Sequence, residues 1–250
     1  MAGRYRGMLF DLFGTVITFD AGRLPELTVL GERVRSTVGG LGDRLADWVP
    51  DTSPAEFWRA LMTVSETMAR VRAEDHVELP SRERFRRALE LVGCEDERML
   101  EAAVDLSRAH MAMIVHTTVL PPGHRGVLEA ARARGPVALV SNFDDTGSVY
   151  DILRRHGIIG YFDTVVVSEA VGLRKPEPAL VRIALRSLEL DPTDALLVGD
   201  TFEEDVAAAR GAGVDTAWID RHGSGVPSGA SPPTYVLRAL TDVLPILEGP

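Results

Sequence analysis

The stretch GMLFDLFGT, residues 7–15, decides how the rest of the chain folds on paper. It opens with the apolar run Met8–Leu9–Phe10 and breaks at an acid, Asp11, with Gly14 and Thr15 just behind it. Three further runs repeat the pattern, VALVSN (137–142), TVVVSE (164–169) and ALLVGD (195–200), and TAWID (216–220) follows a Gly-Ala-Gly turn. Apolar runs that are continuous rather than alternating predict strands buried on both faces, as in a parallel sheet. Helical patterns lie between them. Segments 126–135, 148–157 and 203–213 stop at glycine, and 178–190 starts on a proline, as helix boundaries do. Strands alternating with helices predict a doubly wound, Rossmann-like α/β core with a parallel sheet. Ligands of such sheets sit beyond the carboxyl ends of the strands. That rule singles out Asp11, Ser141 and Asp200.

The segment 21–118 reads differently. It carries helical patterns at 54–73, 81–93 and 95–115 and no convincing strand, which predicts a helical module inserted into the α/β core. The expected division is therefore a core of residues 1–20 and 119–250 and an insert of residues 21–118. The stretch HGSGVPSGASPP (222–233) predicts a loop, and 235–247 a short strand with a last helix.

A formal net charge of -10 excludes nucleic acid as the main partner, because phosphate neutralisation needs a basic face. A small anionic substrate remains compatible, since it feels local charge. No apolar run is long enough to span a bilayer, and the first residues carry no signal-peptide pattern, so a cytoplasmic protein is the expectation, as monomer or homodimer. The single cysteine, Cys94, excludes an internal disulfide and predicts a packing or surface role. Of 27 Lys+Arg residues only Lys175 is a lysine. Arginine is a wide planar fork and lysine a compact point charge, so a position that kept lysine predicts a tight, charge-lined pocket.

The residues with chemical potential lie at the strand ends. Asp11 is placed as a nucleophile, a metal ligand or a simple turn cap. Ser141 and Asn142, with Thr15, offer groups that hold a phosphoryl oxygen. Lys175 can neutralise both an aspartate and a substrate anion, whereas Arg174 beside it is expected in solvent. Asp200 and Asp205 span a strand-to-helix turn and can converge on one hard cation, with Glu204 a weaker substitute.

In this order the segments resemble the haloacid dehalogenase-like superfamily, with D-L-F-G-T as the nucleophile motif, Ser141 in the second, Lys175 in the third and G-D-T-F-E-E-D in the fourth. The resemblance covers about 7–20 and 120–247 and makes the insert a helical cap. It implies that Asp11 attacks to form an aspartyl intermediate. It also implies Mg2+ held by Asp11, the Phe13 backbone carbonyl and Asp200, with Asp205 a direct or indirect ligand. One departure matters. The family's phosphatases place a second aspartate two residues after the nucleophile as general acid and base, and here that residue is Phe13. The superfamily's 2-haloacid dehalogenases have an aromatic residue there and need no metal. Hydrolysis of a small phosphorylated metabolite is the preferred expectation because the metal acids are present. Dehalogenation is the alternative, and a catalytically weak ligand-binding protein the third. Asp20, His76, His110 and His116 are the candidates to replace the missing proton donor.

Overall fold

The computed structural model describes residues 4–94 and 97–249, which divide into two compact units, one of residues up to Phe19 together with Val119 onward, the other Asp20–Thr118. The first unit is built on six strands: β1 (Gly7–Phe10), β2 (Val137–Ser141), β3 (Thr164–Val167), β4 (Ala195–Gly199), β5 (Asp215–Ile219) and β6 (Tyr235–Leu237). They form one sheet in the order β6-β5-β4-β1-β2-β3, every pairing parallel. Every position of β1, β2 and β4 is buried, which is why their sequences run Val/Leu without alternation. Strand β1 sits between β4 and β2, with Phe10 opposite Leu139 on one side and Val198 on the other. The strand order reverses there, so the end of β1 opens onto the crevice where such sheets bind ligands.

Helices α1 (His124–Arg134), α2 (Thr146–Arg155), α3 (Ala179–Ser187) and α4 (Ala207–Ala212) connect the strands. The apolar stripe of α3, Leu180, Val181 and Ala184, packs on Leu9, Val140 and Leu197 of the sheet. Two boundaries differ from expectation. Strand β3 ends at Val167, and Ser168–Val171 already turns as a short helix. The segment predicted as one helix from 203 begins instead with a wide π-type turn, Phe202–Val206, before α4. Wider turns of this kind recur at functional sites because they re-aim a side chain. Here the turn carries Asp205 back against Gly199, where a Cβ would lie 2.3 Å from its carboxyl carbon.

The second unit contains the expected helices, Pro54–Asp75, Ser81–Leu91 and Met99–Thr117. Glu95 and Asp96, the start of the third predicted pattern, lie outside the described residues. The first helix opens on a capping box between Ser53 and Glu56. A core of Phe57, Leu61, Met68, Phe85, Leu89 and Leu106 holds the three together, and Cys94 packs at its margin. The expectation of no strand is wrong. Glu26–Val29 pairs antiparallel with Glu32–Arg35. The hairpin turns at Leu30 and Gly31, both with positive φ (51 and 86). Leucine is a poor left-handed residue, so the turn lacks the Asn-Gly or Asp-Gly signal that marks such hairpins. Among the described residues no helix is long and apolar enough to cross a membrane.

Candidate active site

Asp11 is the first residue beyond β1, and its N–H still donates to the Val198 carbonyl at 2.9 Å, so the sheet fixes its backbone. The Asp11 side chain is 10% exposed. Lys175 arrives from the loop before α3 and is 1% exposed. The ammonium donates to Asp11 Oδ1 at 2.7 Å, Asp205 Oδ1 at 2.6 Å and the Val140 carbonyl at 2.9 Å. Three short bonds use all three of its protons. An arginine fork cannot reproduce that arrangement in the same volume.

Asn142 holds the lysine's backbone rather than facing a substrate, contrary to expectation. Its Oδ1 accepts from Lys175 N at 2.8 Å, and its Nδ2 donates to Lys175 O at 2.9 Å and Glu204 Oε2 at 2.8 Å. Both amide protons are spent. Arg174 is likewise not in solvent. Its side chain is 17% exposed and donates to Glu204 Oε1 at 3.2 Å. Glu204 is thereby committed to Arg174 and Asn142.

Asp205 divides its oxygens between Lys175 and the Thr201 N–H, 2.9 Å from Oδ2, which ties the strand-to-helix turn together. Asp200 is held by its backbone, whose carbonyl accepts from Trp218 Nε1 at 3.0 Å. Its carboxylate lies against the nucleophile turn. A Cβ at Gly14, whose φ is +81, would lie 2.0 Å from Asp200 Oδ2. Glycine is required there twice over, for its backbone angle and for that close approach. Oxygens of Asp11, Asp200 and Asp205 all lie within 4.8 Å of one another. Such a donor set, hard oxygen and no sulfur or imidazole, suits magnesium.

The electrostatics follow from this crowding. Burial pushes the Asp11 carboxyl up to about 7, the charges of Asp205 and Asp200 add to the rise, and Lys175 opposes it. Burial also works against the Lys175 ammonium, but Asp11 and Asp205 outweigh it and hold the group above its ordinary range. Burial, then Asp205, raises Asp200. One ammonium faces three carboxylates, and the excess negative charge is what an added cation would relieve. Thr15 and Ser141 are 0% and 1% exposed, and neither hydroxyl oxygen has a hydrogen-bond partner. Buried hydroxyls are ordinarily satisfied, so two orphans, one in the turn after β1 and one at the end of β2, are hydrogen-bonding groups with capacity to spare.

Phe13, half-buried, stacks on Phe143 with ring centroids 4.8 Å apart, so no titratable side chain stands at that position. The proposed substitutes fare unequally. His110 accepts from Arg84 Nη2 at 3.0 Å on Nε2 and faces Thr37 Oγ1 at 2.6 Å on Nδ1. Burial, reinforced by Arg84, lowers its pKa to about 3, so it is a neutral structural histidine. Asp20 caps a turn through Gly22 N at 3.1 Å and pairs with Arg23 at 3.0 Å. His116 is exposed in the last turn of its helix, and His76 ends the helix Pro54–Asp75 in a left-handed conformation. The Val140 carbonyl and the Thr201 N–H give no sequence signal, because main-chain groups carry none.

Residues 5–213 match the family model described as haloacid dehalogenase-like hydrolase. Among curated proteins, the chain is 37% identical over 148 residues to the phosphoserine phosphatase of Thermus thermophilus, 57% of this chain and 55% of that protein. It is 31% identical over 166 residues to a pyrimidine 5'-nucleotidase of Escherichia coli, 66% of this chain and 69% of that one. The match thus spans little more than half the length of the first. Among solved structures, the 2-haloacid dehalogenase of Pseudomonas syringae pv. Tomato superposes with a TM-score of 0.70 at 20% identity, covering 98% of each chain, a likeness of fold. With a model matching most of its length and the strand-end acids in place, the chain belongs to the haloacid dehalogenase-like hydrolase family.

Proposed function

We propose that the α/β unit hydrolyses a small phosphorylated metabolite with Asp11 as nucleophile and Mg2+ as cofactor, residues 21–118 being the family's helical cap. The observation that carries this reading is the charge imbalance at Asp11, Asp200 and Asp205, which Lys175 alone does not neutralise. A halide-displacing site has no use for that excess. The two relatives matched at 37% and 31% identity are both named for phosphate-releasing activities, which supports the same choice.

On this reading an Asp11 oxygen attacks phosphorus, the bond to the leaving group breaks, and the leaving group departs with the electron pair. Water then attacks the phosphorus of the aspartyl phosphate, frees Asp11 and releases inorganic phosphate. Lys175 holds Asp11 in place and faces the transferring group with a fixed positive charge. Ser141 and Thr15 supply hydroxyls to the phosphoryl oxygens. Asp11, Asp200 and the Phe13 carbonyl would hold the magnesium, with Asp205 behind them, and the ion would neutralise charge on the transferring group. Phe13 delivers no proton, so leaving groups that depart as stable anions, such as acyl or aryl phosphates, are preferred.

The second reading, displacement of halide from a 2-halo acid, is favoured by Phe13 alone. One assay separates the two. Phosphate release from acetyl phosphate and p-nitrophenyl phosphate is expected with Mg2+, lost with EDTA and lost in Asp11→Asn. Equal rates with and without EDTA would overturn the magnesium reading, and metal-independent halide release from 2-chloropropionate would establish the alternative.

A further inference from the structure

The turn that carries Asp11 is tied together by its own backbone and then held from outside by two side chains with no part in the chemistry above. Inside the turn, Leu12 O accepts from Val16 N and Ile17 N, both at 2.9 Å, and Gly14 N donates to Ile17 O at 2.8 Å. Two other carbonyls point outward to partners far along the chain. Gly14 O accepts from Arg221 Nη2, two residues beyond β5. Val16 O accepts from His124 Nδ1 at 2.9 Å, from the first residue of α1. The Phe13 carbonyl accepts none of these bonds.

The chemistry of the His124 contact fixes its tautomer. A carbonyl only accepts, so Nδ1 carries the proton. Burial lowers the pKa of the ring, the bond to the Val16 carbonyl opposes this, and the charge of Arg221 adds to the fall, so the net shift is downward and favours the neutral ring. Arg221 also lies close enough to Asp200 to oppose the rise in its pKa. The two side chains thus meet the turn on either side of Thr15, one of them beside the acid cluster. Gly14, at φ +81, has the backbone angle this turn needs, and the two outside bonds add to the turn's own three.

We propose that His124 and Arg221 are positioning residues that clamp the nucleophile turn through the Val16 and Gly14 carbonyls and so hold Asp11 and the Phe13 carbonyl in register with Asp200. The catalytic consequence rests on the phosphate-hydrolysis reading, whereas the clamp itself does not. Misplacing reacting groups by about 1 Å costs on the order of 100-fold in rate, so a loosened turn is read directly in turnover.

The test uses the whole chain with His124→Leu, His124→Asn, Arg221→Gln and the double variant His124→Leu/Arg221→Gln. Hydrogen exchange of the peptide spanning residues 8–19, measured without metal, reports the clamp independently of any activity. His124→Leu and Arg221→Gln are expected to speed exchange of the Val16 and Ile17 amides about ten-fold or more. His124→Asn, whose amide nitrogen approximates Nδ1, is expected to restore protection. With acetyl phosphate and Mg2+, kcat is expected to fall about 10- to 100-fold in the two single variants, with KM within about three-fold, and the double variant to fall less than the product of the two. Unchanged exchange in both single variants overturns the clamp. So does failure of His124→Asn to rescue, or a loss confined to KM, which would make Arg221 a substrate contact. If exchange responds but the unmutated protein releases no phosphate, the clamp stands and the phosphate-hydrolysis reading falls.

Discussion

Replacing Lys175 by methionine probes the polar grip on the site, because methionine keeps the length and much of the volume and removes the charge together with its donors. Three bonds disappear at once, to Asp11 at 2.7 Å, Asp205 at 2.6 Å and Val140 O at 2.9 Å. Two carboxylates, on side chains 10% and 3% exposed, are left with no ammonium between them. Removing one partner of a buried ion pair costs about 3–5 kcal/mol, most of it the stranded charge. For a chain of this size 1 kcal/mol shifts Tm by about 2–4 °C, so a fall of roughly 6–20 °C is expected in metal-free thermal unfolding at pH 8. The pH dependence gives the sharper test. Without the lysine the Asp11 carboxyl, which burial already raises and Lys175 opposes, rises further above its unfolded value. The folded protein then binds more protons than the unfolded one, and stability falls as pH rises from about 4 upward. The gap between variant and parent should therefore be wider at pH 8 than at pH 5, and narrower in Lys175→Met/Asp205→Asn than in Lys175→Met. A Tm difference below about 2 °C, or one independent of pH, would refute the claim that Lys175 neutralises this cluster.

Mg2+ should raise Tm more at pH 8 than at pH 5. Asp11, raised to about 7 by burial, is protonated in the folded state at the lower pH, so destabilisation from its charge accumulates between about 4 and 7 and is relieved by a cation only where the charge exists. Asp200→Asn should abolish the difference, and an equal Mg2+ shift at both pH values would count against the cation site. Gly14→Ala forces an L side chain to φ +81 and into Asp200, so a loss of at least about 1–2 kcal/mol in urea unfolding and no measurable phosphate release are expected. Retention of both would mean that the turn relaxes freely. Phe13→Asp should increase kcat for alkyl phosphates, whose leaving groups need a proton, by up to about 10²-fold and leave acetyl phosphate nearly unchanged. An equal gain or no gain on both would show that proton supply does not limit the reaction.

Most of the α/β unit was legible because a strand buried on both faces writes itself as a continuous apolar run, and β1, β2 and β4 do so without interruption. Their ends then point to Asp11, Ser141 and Asp200 by topology alone. Lys175 was legible from composition, as a single lysine in an arginine-rich chain. What escaped is of another kind. Asn142 was read as a substrate contact, yet its role depends on the backbone of Lys175, 33 residues away in sequence. The π-type turn at Phe202–Val206 replaces a helix start because Asp205 must reach both Lys175 and Thr201 N, a constraint invisible to helix propensity. The hairpin at 26–35 was hidden by a leucine in a left-handed turn, and the His124 and Arg221 contacts end on main-chain carbonyls, which have no letter in the sequence.

The same geometry orders the events of the proposed reaction. With Asp11, Asp200 and Asp205 ionised and Lys175 charged, the cluster carries two excess negative charges, offset in part by Arg221 near Asp200. A phosphate dianion approaching it meets like charge, and each pair of unit charges about 4 Å apart costs about 4 kcal/mol at an effective dielectric constant of about 20. A divalent cation held by Asp11 and Asp200 would cancel the excess, so that the same place would attract the next anion. Cation before substrate is thus a consequence of charge arithmetic. In the proposed reaction Lys175, with its protons spent on Asp11, Asp205 and Val140 O, would keep the nucleophile aimed, and the unpartnered hydroxyls of Ser141 and Thr15 would take the phosphoryl oxygens.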